Sequence, residues 1–143
     1  MRYLLSRFRS DETGTTVIEV AILLPALLAM LIGVMQVGWY LQAQNAVRGV
    51  AGEMSRFITV ESQKSNSLSD DQIRAKAITV AVSPPYMLIS DGFDVEVNDS
   101  ATQDLNRVRR VDLEFIYDVP SVLGFNGVDM LTLRYTRSVF IPK

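Results

Sequence analysis

Val20-Ala-Ile-Leu-Leu-Pro-Ala-Leu-Leu-Ala-Met-Leu-Ile-Gly-Val-Met35 is almost wholly aliphatic. It opens a longer run, Val20 through Val47, of 28 residues without a charged side chain. As a helix rising ~1.5 Å per residue the run would reach about 40 Å, more than the ~30 Å hydrocarbon core of a bilayer. It therefore reads as a membrane span. Pro25 would end a soluble helix by removing an amide donor, but in a membrane helix neighbouring groups re-satisfy the freed carbonyl. Trp39 and Tyr40 stand near the end of the run, where amphipathic rings favour the headgroup level.

Before the span, Arg2, Arg7 and Arg9 make the amino-terminal side basic, which predicts that this side stays cytoplasmic and that the remainder lies across the membrane. After it, Ala43, Ala46, Val47, Val50, Met54, Phe57 and Ile58 recur at helical spacing, with Arg48, Glu53 and Arg56 elsewhere on the cylinder. One apolar stripe facing a small core is predicted there. A polar linker, Glu61–Leu68, follows. Ser69 and Gln72 form a capping-box pattern, with Asp70 and Asp71 favouring the positive end of a second helix whose apolar face is Ile73, Ala77 and Val80. Ser83-Pro84-Pro85 stops that helix, because a residue before proline avoids helical dihedrals.

The remainder alternates with period two: Phe93, Val95, Val97; then Val111, Leu113, Phe115, Tyr117, Val119; then Leu131, Leu133, Tyr135, Val139, Ile141. Ile116 and Arg137 interrupt the second and third patterns. Three half-buried strands in an antiparallel meander are expected, with Arg134 across from the acidic wet face of the second strand. The fold class is α+β: a long membrane-spanning helix continuing as an amphipathic one, a short helix, and a three-stranded antiparallel sheet.

The composition narrows the chemistry. The 143 residues contain no cysteine and no histidine, and the net charge is −2. Disulfides, thiolate sites, catalytic triads and most transition-metal sites need one of those two residue types. The basic residues are scattered, so no nucleic-acid footprint stands out. Asp91, Asp94, Asp99 and Asp104 do not have the spacing of an EF-hand loop, and Asp112 and Glu114 belong to an open strand face rather than a cleft. No catalytic residue, metal, cofactor or small-molecule substrate is indicated.

The segment that carries function is Asp11-Glu12-Thr13-Gly14-Thr15-Thr16-Val17-Ile18-Glu19-Val20, directly against the span. With the short basic leader, the acidic pair before Gly14, Glu19 and the Leu24-Pro25 step, it resembles a class III prepilin signal. More narrowly, it is similar to that of the TadE/TadF pseudopilins of tight-adherence (Tad/Flp) pili, with the two branches left open. Thr15 stands where ordinary type IV pilins usually have phenylalanine, and Gln36 where many TadE-like chains have glutamate.

The resemblance implies cleavage between Gly14 and Thr15 by a prepilin peptidase, leaving Glu19 as the fifth residue of the mature chain. It also implies other pilins and minor pilins as partners, and no enzymatic activity. A carboxylate inside a span costs roughly 2.5–3.5 kcal/mol near the centre and less near an interface, so Glu19 is expected to find a partner. In the pilin scheme that partner is the new α-amino group of Thr15 on a neighbouring subunit. The expected organisation is a cytoplasmic leader over 1–14, a helix over 15–58 with its membrane half at about 20–41, and an extracytoplasmic head over 59–143. The expected location is a bacterial inner membrane, with the head periplasmic or extracellular. The alternative is an uncleaved, signal-anchored domain that binds an envelope partner.

Overall fold

The computed structural model describes residues 12–64, 66, 68–99, 108–121 and 131–142. Most of the proposed leader, residues 1–11, lies outside the described residues, as does Asp104. The chain divides into two compact units, Met1–Val37 and Gly38–Lys143.

Helix α1 (Glu12–Gln63) runs through both. In the first unit it stands by itself, with residues 16–31 all exposed. An 18-residue window of α1 has a mean hydropathy of 2.6 and no buried residue, so the helix is long and apolar enough to cross a membrane. Pro25 sits inside it without ending it.

The helix begins three residues before the expected start at Thr15 and ends five beyond Ile58. Its extension is explained by side chains that bond to the backbone within the last turns. Thr59 Oγ1 donates to the Ser55 carbonyl at 2.8 Å and Ser62 Oγ to that of Thr59 at 2.7 Å. The Lys64 and Asn66 amides both donate to the Glu61 carbonyl at 3.1 Å. Residues whose polarity suggested a linker instead satisfy the carbonyls that a helix end leaves open.

In the second unit α1 contributes Ala43, Val47, Val50, Ala51, Met54 and Ile58 to the core, with Ala46 and Phe57 half-buried beside them. The expected stripe is thus the buried one. Helix α2 (Asp70–Val82) starts with the anticipated capping box: the Ser69 amide donates to Gln72 Oε1 at 3.0 Å, and the Gln72 amide to Ser69 Oγ at 3.3 Å. It buries Ile73, Ala77, Val80 and Ala81 and ends at Ser83.

A short connection and a 3₁₀ turn (Ser90–Gly92) lead into strands β1 (Phe93–Asp99), β2 (Val108–Asp118) and β3 (Thr132–Pro142). They form an antiparallel sheet in the order β1-β2-β3. Phe93, Val95, Val111, Leu113, Phe115, Tyr117, Leu133 and Val139 face the helices. Phe93 lies 6.4 Å from both the Phe115 and Tyr117 rings, centre to centre. Leu131 falls just before β3, and its carbonyl accepts from the Val119 amide at 3.1 Å.

On the outer face Arg134 Nη1 donates to Glu114 Oε1 at 3.2 Å, the pairing expected for that face. Register places Arg137 opposite Leu113, a core-facing position on an edge strand.

Candidate functional site: the amino-terminal end of the long helix

Gly14 and Thr15 both lie within α1, in its first turn. That turn reads Glu12-Thr-Gly-Thr-Thr16. Glycine and threonine are poor helix formers, glycine by about 1 kcal/mol against alanine, so this turn is the weakest of the helix.

Glu19 is exposed on the same helix. It follows Thr15 by four residues, so the two positions share one face, about 6 Å apart along the axis. Among the described residues no hydrogen bond or ion pair engages the Glu19 carboxylate. The neighbours on either side, Val17, Ile18, Val20, Ile22 and Leu23, are exposed apolar side chains. Among the described residues the Glu19 carboxylate is therefore set in an apolar surface without a countercharge.

The other acidic residues considered from the sequence are held differently. Asp94 Oδ1 accepts from Arg74 Nη2 at 2.6 Å and from the Val95 amide at 2.7 Å. Asp112 Oδ1 accepts from Ser138 Oγ at 2.6 Å and from Arg110 Nε at 3.0 Å. The Ser138 hydroxyl first, and then Arg110, hold its carboxyl below the usual carboxylate range. Glu96 lies directly opposite Glu114 on the open face. Among the described residues no three acidic side chains converge as metal ligands would.

Two packing positions had no sequence signal strong enough to find them. A Cβ built on Gly49 would run into the Tyr86 ring, so this helical glycine is where the α2–β1 connection packs on α1. In that connection Met87 takes a positive φ of 51°. The Ser83-Pro84-Pro85 run pointed only to a helix stop, not to the conformation that follows it.

No curated protein and no solved structure matches this chain. A family model does: that of TadE-like protein, over residues 14–56. The match begins at Gly14, takes in Thr15, Glu19 and the whole apolar stretch, and ends within the amphipathic half of α1. The stretch of α1 that bears the candidate site is thus similar to TadE-like protein, consistent with an amino-terminal membrane anchor.

Proposed function

We propose that this chain is a minor pilin or pseudopilin of a Tad/Flp-type pilus, cleaved between Gly14 and Thr15 by a prepilin peptidase and then assembled through Glu19. The observation that carries it is the coincidence of the TadE-like match with an exposed, apolar helix on which the Glu19 carboxylate has no partner among the described residues. Cleavage creates an α-amino group at Thr15 that is positive near neutral pH. Amine and carboxylate then lie on one stripe, four residues apart, and a neighbouring helix packed there can exchange one ion pair for each. In lipid such a pair sets register, because sliding by a turn leaves charges without partners. The head then supplies the contacts that distinguish a minor subunit from a bare helical one.

The test is the amino-terminal residue of the membrane-extracted protein, determined with and without the prepilin peptidase. A peptidase-dependent start at Thr15, lost in Gly14→Leu, is expected. An intact Met1 under all conditions would identify an uncleaved anchor bearing an envelope-binding domain instead. Glu19→Ala should be cleaved and anchored as wild type yet fail to co-purify with other pilins; normal co-assembly would remove the role assigned to Glu19.

A further inference from the structure

The head carries an apolar surface that none of its described residues covers. The Tyr86–Ile89 connection is pinned from inside, with Leu88 buried and its amide donating to the Ala81 carbonyl at 2.9 Å. The Tyr86 and Met87 amides both donate to the Ser83 carbonyl, at 3.0 and 3.1 Å. The residues flanking Leu88 turn outward: Met87 is 71% exposed and Ile89 54%. Met87 adopts φ 51°, a left-handed conformation uncommon for a side-chain-bearing residue, and the fold retains it while presenting a large apolar side chain to the outside. Beside these two lies Trp39, 43% exposed, and the three border a cavity of about 300 Å³ together with Ala43, Tyr86 and Val119. Among the described residues no charged side chain lines it.

What covers this patch follows from where Trp39 sits in the chain. Counting ~1.5 Å per residue from Val20, a ~30 Å apolar core is crossed at about residue 40, so Trp39 marks the far boundary of the span. Trp39 is itself part of the patch, which places the outward side chains of Met87 and Ile89 at the same boundary by direct neighbourhood.

We infer that the Tyr86–Ile89 connection is a membrane-docking loop, inserting Met87 and Ile89 beside Trp39 into the headgroup–acyl boundary of the bilayer. This rests on α1 being a membrane span. Asp91 and Asp118 flank the patch in sequence, so a zwitterionic lipid surface suits it better than an anionic one. Docking holds the head down on the membrane before assembly, and extraction of the subunit must release the loop.

The chain lends itself to a direct test, because it has one tryptophan and no cysteine. Met87→Cys, Ile89→Cys and, as a control, Phe140→Cys each give a unique site for an environment-sensitive fluorophore in the full chain. Phe140 is also exposed, at 52%, and pairs with Arg110, about 23 Å along β2 from Tyr117. The labelled proteins are reconstituted in phosphatidylcholine vesicles carrying doxyl groups at shallow depth, and iodide serves as the aqueous quencher.

The expected result is shallow-doxyl quenching at Met87 and Ile89 at least about twofold that at Phe140, with Trp39 quenched alongside, as for groups buried ~5–10 Å at the interface. Quenching of Trp39 with the two loop labels no better quenched than Phe140 would overturn the docking loop while leaving the span in place. Loop labels shielded from both doxyl and iodide would overturn it in favour of a protein partner. An unquenched Trp39 would overturn the span, and the inference with it.

Discussion

Asp112 shows how one residue's surroundings set a measurable pH dependence. Its carboxyl is held low by the Ser138 hydroxyl and then by Arg110. A carboxylate with a depressed folded pKa contributes stability that is present above its ordinary value near 3.8 and lost as pH falls through the lower, folded one. Ser138→Ala should therefore lower stability by about 1 kcal/mol at pH 7, with the deficit shrinking near pH 3. Thermal melts in detergent at both pH values check this; an equal deficit at both would mean that the hydroxyl acts by packing alone. Two helical glycines make a second comparison. Gly52 has nothing within 4 Å of an added Cβ, whereas Gly49 meets Tyr86. Gly52→Ala should stabilise by up to about 1 kcal/mol through helix propensity, and Gly49→Ala should destabilise by about 1–3 kcal/mol through overpacking. Equal melting shifts would show that Tyr86 moves aside freely. Glu19 was legible as a candidate because a charge beside an apolar run stands out in sequence. Gly49 was not, since what sets it apart from Gly52 is a ring 37 residues away in the chain.

The elements were legible wherever a period or a cap fixed them. The stripe from Ala43 to Ile58 and the capping box of Ser69 and Gln72 are local signals, and both appear as expected. The end of α1 was less legible, because Glu61, Ser62 and Gln63 are polar in sequence, which marks a linker, yet they complete the helix, with Ser62 Oγ donating to the Thr59 carbonyl. Likewise Arg137 broke the pattern of β3 on paper but not the strand itself, since an edge position lets a long side chain reach water. Met54 is the element-scale test, fully buried where α1 meets the rest of its unit. Met54→Ala should cost about 2–5 kcal/mol and lower the melting temperature of the head. Retained melting would mean that α1 contributes little to that core.

For the whole molecule, the TadE-like match covers the apolar run and most of the amphipathic stretch from Ala43 to Ile58, whereas the α2–β1–β2–β3 portion lies outside it. Retention through an alkaline wash should depend on the anchor, because two inserted side chains of the docking loop are too few to hold the chain by themselves. Leu28→Arg combined with Leu31→Arg places two cations near the middle of the apolar run, each costing roughly 2.5–3.5 kcal/mol on insertion scales. The doubly substituted chain should leave the membrane fraction on alkaline carbonate washing, where the wild-type chain stays; retention of both would mean another segment holds the protein. Heads confined to a membrane meet one another at high local concentration, and an exposed sheet edge is then a hazard. Any strand that docked on the free side of β3 to extend the sheet would have to bury the Arg137 guanidinium against the core face, beside Leu113, without a countercharge at that register among the described residues. On the proposed role, heads can therefore crowd together without runaway β-polymerisation, and ordered growth is left to the helices.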